Sequence, residues 1–231
     1  EQMVFFLESV KKYRKLNNTI LLFQGWLVNN TNEKIKLEFY QDNEQIPFED
    51  EQWYERSDVK DCYCNNENEK EALGFTIEIN ASALKAQYKC MEIYTEENHG
   101  SIVLSSIEKN EIDKIDFENK IVNKIDSVTE SDELLRIVGW GYGTTGDIKY
   151  GVLEFEVFDS EQNKVECSIH RVYRKDVNEL IPSNCNINEA FGYEIGFKKQ
   201  KSGIYKIKCT YAGMQTEEMV FTDAKTNIRD N

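Results

Sequence analysis

Two Arg-x-Asp tripeptides are the residues whose types and spacing are best suited to chemistry. Arg56 and Asp58 stand two positions apart, and Arg174 and Asp176 repeat the arrangement later in the chain. Side chains two positions apart in an extended segment project to the same side, so each pair is predicted to form an ion pair. One interpretation is a corner that stabilises the fold. The other is a polar site in which arginine donates to a sugar hydroxyl and aspartate accepts from it.

A glycine-rich stretch at residues 141–146, with the letters GYGTTG, matches the spacing of dinucleotide-binding loops. Such a loop binds pyrophosphate only where it joins a strand to the N-terminus of a helix. Here a strand-like run follows at residues 150–155, and the corresponding part of the first half has no glycines. The stretch is therefore predicted to be a hairpin turn, and no nucleotide cofactor is expected.

The other reactive residue types form no recognised catalytic or metal-binding pattern. Cys62 and Cys64 are too close together for the usual zinc spacing, and His99 and His170 have no clear partner. The acidic cluster Glu49-Asp50-Glu51 lacks calcium-loop spacing and is interpreted as a solvated face. We therefore expect no metal, no cofactor and no catalytic site, and the chain is not expected to be an enzyme by itself.

The charge balance limits the partners of the chain. Its 231 residues include 28 Lys and Arg against 42 Asp and Glu, which gives a formal net charge of −14. An acidic surface repels phosphate backbones, so nucleic acids and anionic membranes are disfavoured as partners. Neutral ligands such as sugars, or a basic protein surface, are compatible with this charge.

The sequence contains an internal repeat of three short motifs in the same order. The motifs are Gly25-Trp26, Arg56-x-Asp58-Val59 and Gly74-Phe75, and their second copies are Gly139-Trp140, Arg174-x-Asp176-Val177 and Gly192-Tyr193. The offset is 139 − 25 = 114 for the first motif and 174 − 56 = 192 − 74 = 118 for the others. This change predicts one insertion in the second copy, in the glycine-rich stretch. The segment Glu8-Ser9-Val10 also resembles Asp126-Ser127-Val128.

The duplication predicts two domains, residues 1–112 and 117–231, separated by a mixed-charge stretch. Apolar residues alternate with charged ones in several runs, as half-buried strands require. These runs are residues 34–39, 75–79, 153–157 and 205–209. The expected fold class is all-β, with two tandem antiparallel β-sandwich domains of Ig-like or jelly-roll-like type.

The aromatic residues divide into packing and binding candidates. Trp26 and Trp140 are predicted to anchor the two sandwich cores, with a sugar-stacking platform as the alternative role. Phe75 and Tyr193 open a core strand, so packing is expected for both. The ligand-binding candidates, whose rings are predicted to be exposed, are Trp53, Tyr54, Tyr142 and Tyr173. Their alternative role is to cover the edge of a sandwich.

The order Asp-Ser-Val, Gly-Trp, Arg-x-Asp-Val, Gly-Phe resembles the β-sandwich modules found beside catalytic domains in bacterial glycosyltransferases of cell-surface polysaccharide synthesis. The resemblance covers nearly the whole chain, in both copies, and the second copy departs from it by Tyr193 in place of phenylalanine. The matching residues are Gly25, Trp26, Arg56, Asp58, Val59, Gly74 and Phe75, then Gly139, Trp140, Arg174, Asp176, Val177 and Gly192.

What the resemblance implies is a non-catalytic accessory region of a cytoplasmic, membrane-associated glycosyltransferase. The sugar-nucleotide chemistry would then belong to a catalytic domain of the same polypeptide. Two roles follow as hypotheses. The first is binding of bacterial glycan, and the alternative is a scaffold for protein contacts or for homo-oligomerisation without sugar binding.

Overall fold

The computed structural model describes residues 3–29, 34–63, 71–96, 102–145, 149–181, 189–201 and 203–222. The chain divides into two compact units, Glu1–Glu118 and Asn119–Asn231. The predicted first domain ended at residue 112, which is too early. Phe117 lies against the guanidinium of Arg14, with 4.3 Å between the guanidinium carbon and the ring centroid. The backbone N–H of Glu118 donates to the carbonyl of Lys12 at 2.7 Å, so residues 113–118 belong to the first unit.

The first unit is an antiparallel sandwich of two four-stranded sheets. Its strands are β1 (Val4–Lys15), β2 (Asn18–Asn29), β3 (Leu37–Gln41), β4 (Glu44–Ile46), β5 (Asp50–Glu55), β6 (Glu71–Asn80), β7 (Cys90–Thr95) and β8 (Ser105–Glu108). One sheet has the order β1-β2-β6-β5 and the other has the order β4-β3-β7-β8. Strands such as β1 and β6 alternate in burial, so one face of each enters the core, whereas β2 is buried on both faces.

The second unit repeats this arrangement with one additional strand. Its strands are β9 (Lys120–Glu130), β10 (Leu134–Thr145), β11 (Lys149–Val152), β12 (Glu154–Phe158), β13 (Lys164–Val165), β14 (Cys167–Val172), β15 (Gly192–Lys198), β16 (Ile204–Tyr211) and β17 (Met214–Phe221). One sheet contains β9, β10, β15 and β14, with β11 paired to the end of β10. The other sheet has the order β13-β12-β16-β17. The predicted all-β fold is confirmed.

Helices in the described residues are short. They are α1 (Ser57–Tyr63), α2 (Lys109–Asp113) and α3 (Lys175–Asn178), with a 3-10 turn at Ala81–Ala83. Each Arg-x-Asp motif lies at the start of a helix, α1 or α3, and its aspartate falls in the first turn. A carboxylate is favourable there because the helix N-terminus carries a partial positive charge. No helix in the part of the chain that the structure describes is long and apolar enough to cross a membrane.

Strand register shows that the two units share one framework. In β2 and β6, Trp26 faces Gly74 and Gly25 faces Phe75 across the strands. In β10 and β15, the second copies face each other in the same way, tryptophan to glycine and glycine to tyrosine. The other sheets also correspond. Phe39 pairs with Ile93 in the first unit, and Phe155 pairs with Cys209 in the second, both at an offset of 116.

The single predicted insertion is in fact two insertions. Leu37 corresponds to Leu153, an offset of 153 − 37 = 116, so two of the four extra residues lie before this point. They accompany β11, which adds a hairpin to the end of β10. The other two are a net gain between Leu153 and Arg174, a segment that contains a longer turn. Asp42 and Asn43 form a two-residue turn with φ values of 43° and 70°, whereas residues 159–163 form the corresponding turn.

The two core clusters lie between the sheets. Phe23, Phe39, Phe75 and Ile77 are fully buried in the first cluster. Tyr193, Ile195, Tyr205 and Ile207 occupy the second and are at most 1% exposed.

The tryptophans were predicted to anchor these cores. Both are buried, at 8% exposure each, but they lie on the outer face of their sheets. Trp26 forms a separate apolar cluster with Val28, Val59 and Ala72, where Val59 belongs to α1. Neighbouring positions on a strand alternate between faces, and Gly25, not Trp26, faces the core.

Candidate functional site

The first Arg-x-Asp motif forms the predicted ion pair. The guanidinium of Arg56 donates from Nε and Nη2 to the two carboxylate oxygens of Asp58, at 2.8 and 2.7 Å. A third group completes the arrangement, because Nη1 donates to the carboxylate of Glu8 at 3.2 Å. Glu8 is the extra residue of a β-bulge between Leu7 and Ser9 in β1. A bulge re-aims a side chain, and here it directs a carboxylate to the arginine.

The second motif repeats this geometry. Arg174 donates from Nε and Nη2 to Asp176 at 2.8 and 2.6 Å, and from Nη1 to Asp126 at 2.8 Å. Asp126 is again the bulged residue, since the register shifts between Ile125 and Ser127. Because these three contacts, two to the motif aspartate and one to the bulged carboxylate, recur in both units, the arginine corner serves the fold. The donors of both arginines face carboxylates, so the alternative of a sugar-binding corner is not favoured.

The charges of the corner shift the pKa values of its members. Hydrogen bonds from Arg56 lower the pKa of Asp58 to about 2, and those from Arg174 lower the pKa of Asp176. The carboxylates in turn raise the pKa of both arginines above its usual range. A hydrogen bond to the charged form favours that form, which explains both directions.

Replacing Asp58 with asparagine is expected to lower the urea midpoint of the first unit near neutral pH. A carboxylate with a depressed pKa contributes stability above its ordinary value of 3.8, and that contribution is lost as the pH falls towards about 2. The difference between wild type and variant should therefore be constant above pH ~5 and shrink below pH ~4. Urea titrations across this range test it, with the exposed Asp132→Asn as the control. A difference that does not change with pH would contradict the assignment.

The glycines of the motifs make room for large side chains on both faces. A Cβ on Gly25 would lie 2.7 Å from the ring of Phe75, and one on Gly139 would lie 2.8 Å from the ring of Tyr193. On the outer face, a Cβ on Gly74 would lie 2.9 Å from Cγ of Arg56. The arginine therefore crosses the sheet over a glycine to reach the bulge. This interlock accounts for the recurrence of Gly-Trp and of Gly-Phe or Gly-Tyr.

One pair of core positions differs between the units in a correlated way. In the first, Phe5 stacks on Phe75 with 5.6 Å between ring centroids. In the second, Asn123 replaces this phenylalanine, and its Oδ1 accepts from the hydroxyl of Tyr193 at 2.5 Å. Asn123 also donates to Glu218 at 2.8 Å. A buried tyrosine hydroxyl needs a polar partner, so the asparagine accompanies the tyrosine.

Tyr142 was predicted to offer an exposed ring for sugar stacking, and this is wrong. Its side chain is fully buried, because β10 continues past Trp140 and both rings lie on one face, 6.2 Å apart. Tyr150 and Phe191 cover the ring, with centroid distances of 4.7 and 5.6 Å. The glycine-rich stretch was predicted to be a hairpin turn, but residues 141–145 belong to strand β10, where they pair with β11, and Gly146 lies outside the described residues.

Trp53 and Tyr54 were predicted together, but as neighbours in β5 they point to opposite faces. Tyr54 is 42% exposed on the outer face, where its ring lies over Gly74. Trp53 points towards the core side and approaches Phe75 with 5.7 Å between ring centroids. Its indole Nε1 donates to Glu51 at 2.7 Å.

Trp53 lines an open groove of about 750 Å³ at one end of the first sandwich. The other lining residues are Lys34, Ile35, Lys36, Leu37, Glu51, Glu71 and Leu73. An apolar floor with a few charged groups around it is the usual composition of a small-molecule site. The sequence analysis identified Trp53 but not Lys34 and Lys36. These lysines are far from Trp53 along the chain, so the sequence gives no indication that they line the same groove.

The corresponding position in the second unit carries an arginine. Arg171 corresponds to Trp53, since it pairs with Tyr193 as Trp53 pairs with Phe75. Its guanidinium lies over the ring of Phe155 at 5.3 Å and donates to the carbonyl of Leu153. Burial lowers the pKa of Arg171. The framework therefore tolerates either side chain, and the tryptophan groove is a property of the first unit alone.

The second unit has a larger groove of about 1000 Å³ between β13 and β14. Arg136 and Glu194 in its wall form an ion pair at 2.5 Å, and Lys164 pairs with Glu156 at 3.1 Å. Its charges are largely satisfied internally. Tyr173, the remaining candidate from the sequence, is 55% exposed and lies outside the lining of both grooves.

Among the described residues, no group of three or more His, Cys, Asp and Glu side chains could hold a metal ion. Cys64 and His99 lie outside these residues, and His170 is exposed on β14. Comparison with known proteins adds no assignment, since no protein-family model and no curated protein matches the chain.

Proposed function

We propose that this chain is a non-catalytic accessory region that binds glycan through the groove at Trp53. The observation that carries the proposal is the difference between the two units. The framework residues recur in both, whereas Trp53 occurs once, at a position where the second unit has Arg171. A large aromatic side chain that the fold does not require, in an open groove, is best explained by a ligand.

The chemistry of the groove suits an uncharged or weakly charged sugar. The indole ring offers a flat apolar face for the C–H side of a pyranose. Glu51 can accept hydrogen bonds from hydroxyl groups, and Lys34 and Lys36 can donate them. Because Glu51 also accepts from the indole N–H, the ring and the acceptor hold each other in position. The net charge of −14 favours such ligands over polyanions.

The parent protein that we propose is a bacterial glycosyltransferase of cell-surface polysaccharide synthesis. The support is the order of motifs described above, which resembles accessory modules of those enzymes. In this proposal the catalytic domain belongs to the same polypeptide and acts in the cytoplasm or at the membrane. The accessory region holds the growing glycan near that domain, which raises the effective concentration of the acceptor.

Trp53→Leu is expected to weaken glycan binding by up to about tenfold, because an aromatic ring contact contributes about 0.5–1.5 kcal/mol beyond its buried area. The ligand is first selected on an array of bacterial cell-surface oligosaccharides. Its affinity is then measured by calorimetric titration with wild type and variant. Leucine keeps the apolar contact with Phe75, and unchanged urea midpoints show that the variant is folded.

Two controls locate the site. Tyr63→Leu on the outer face of the first unit and Tyr173→Leu in the second remove rings that are 52% and 55% exposed, and both should leave the affinity unchanged. An array without any saturable binding would contradict the proposal and leave the alternative, a scaffold for protein contacts or homo-oligomerisation. Exposed aromatic side chains on the outer face of the first unit support that alternative.

A further inference from the structure

The groove at Trp53 contains a main-chain acceptor that the strand pairing leaves open. The N–H of Glu96 donates to the carbonyl of Lys36 at 3.0 Å. Main-chain groups alternate in direction along an antiparallel strand, so the carbonyl of the next residue, Leu37, points away from β7 and towards the side of β4. Strand β4 pairs with β3 only from Phe39 onwards, and no group in the described part of the chain donates to this carbonyl. Leu37 lines the groove, so the acceptor is open to a ligand.

The second unit shows which kind of donor this acceptor takes. Leu153 corresponds to Leu37, and its carbonyl accepts a hydrogen bond from the guanidinium of Arg171. Arg171 stands at the position of Trp53, so the second unit supplies an N–H donor from its own chain. In the first unit the indole N–H of Trp53 is directed to Glu51 instead, at 2.7 Å. The N–H donor for the Leu37 carbonyl is therefore left for a ligand to supply.

Neighbouring residues add a donor and an apolar surface to the groove. Lys34 is exposed there, and its ammonium group can donate hydrogen bonds. Ile35 and Leu73 are half-buried and pack against the first core cluster, so they form an apolar floor. The groove thus presents three kinds of contact within a short distance along the chain: an acceptor, a donor and an apolar surface.

We propose that the groove binds a glycan whose sugars carry an acetamido group, an inference that rests on the glycan binding proposed above. The acetamido N–H donates to the Leu37 carbonyl, its oxygen accepts from Lys34, and its methyl group packs on Ile35 and Leu73. A hydroxyl group could donate to the same carbonyl but has no methyl group to bury. A protonated amino group offers no acceptor, and the Lys34 ammonium would repel it.

The test compares sugars that differ only in the substituent at C2. The probes are β-1,4-linked trimers of glucose, glucosamine and N-acetylglucosamine, together with the three matching trimers of the galactose series. Each is titrated against the full chain, and the affinity is measured by NMR. We expect the acetamido form to bind about fivefold more tightly than the hydroxyl and amino forms in at least one series, because it buries one more methyl group and adds an amide hydrogen bond.

Two substitutions at Trp53 separate the role of the ring from that of the acceptor. Trp53→Leu removes the ring but leaves the Leu37 carbonyl open, so binding should weaken while the preference for the acetamido form persists. Trp53→Arg places a guanidinium where it can donate to this carbonyl, as Arg171 does to Leu153, so the preference should disappear. Urea midpoints show whether both variants are folded, and the wild-type comparison of trimers decides by itself if Trp53→Arg is not.

The outcomes separate this inference from glycan binding in general. Hydroxyl or amino trimers that bind as tightly as the acetamido trimers would overturn the inference alone. The same holds if other glycans of the array bind through Trp53 while no acetamido trimer binds, or if the preference survives in folded Trp53→Arg. A complete absence of saturable glycan binding would overturn the proposed function together with this inference.

Discussion

Trp140→Ala is expected to lower the free energy of unfolding of the second unit by about 4 kcal/mol, the usual range for removing a buried aromatic side chain. Trp140 is 8% exposed and stacks on Tyr142, which is itself enclosed by Tyr150 and Phe191. These rings hold one another and cannot collapse into the space. The measurement is hydrogen exchange followed by mass spectrometry, which assigns the loss of protection to peptides of one unit.

The equivalent change in the first unit should be milder. Trp26→Ala leaves a space beside Phe6 and Tyr63, and these half-exposed rings can move into it, so we expect a loss of about 3 kcal/mol. Tyr173→Ala, at an exposed position, should stay within about 0.5 kcal/mol of wild type. Equal losses for the two tryptophan variants would show that the surrounding rings do not govern the cost.

Gly139→Ala is expected to destabilise the second unit by about 3 kcal/mol, at the upper end of overpacking costs. The added Cβ would lie 2.4 Å from the carbonyl oxygen of Lys124 and 2.8 Å from the ring of Tyr193. The carbonyl belongs to the paired backbone of β9 beside the bulge, so it cannot rotate away. Urea titration combined with hydrogen exchange measures the loss in this unit.

Gly196→Ala is the matched control for this change. It lies in the neighbouring strand β15, where an added Cβ would meet only the hydroxyl of Ser168, at 3.1 Å. A hydroxyl can turn aside, so we expect a change within about 1 kcal/mol. If the two alanine variants were equally stable, the interlock of glycine with aromatic ring would not be the reason that Gly139 recurs.

The repeated framework was largely accessible from the sequence. Arg56 with Asp58, and Val59 directed into an apolar cluster, follow from residue types at fixed spacing. The third member of the corner, Glu8, was not predicted, because a bulge brings it to the arginine and no periodicity marks a bulge. The sequence did contain an indication, since Glu8 and Asp126 occupy matching places in the two copies.

The failures concern which face a side chain occupies. An aromatic residue in a strand suits either face, so Trp26 was assigned to the core. The residue that faces the core is its chain neighbour, Gly25. Tyr142 was taken as part of a turn because of its glycine neighbours, and the extra strand that buries it depends on contacts distant in sequence. Trp53 and Tyr54 were grouped together, whereas the two-residue period of a strand separates them onto opposite faces.

The correlated exchange of Phe5 and Phe75 for Asn123 and Tyr193 has a consequence for how two neighbouring homologous units reach their correct structures. Tandem domains of the same topology are prone to swap strands while they fold. If β1 were inserted in place of β9, Phe5 would lie beside Tyr193 and leave its hydroxyl without a partner, at a cost of about 1–3 kcal/mol. The reciprocal mistake would place an asparagine amide against the ring of Phe75. Each half of the chain thus rejects the other's first strand, which protects the pair against misassembly.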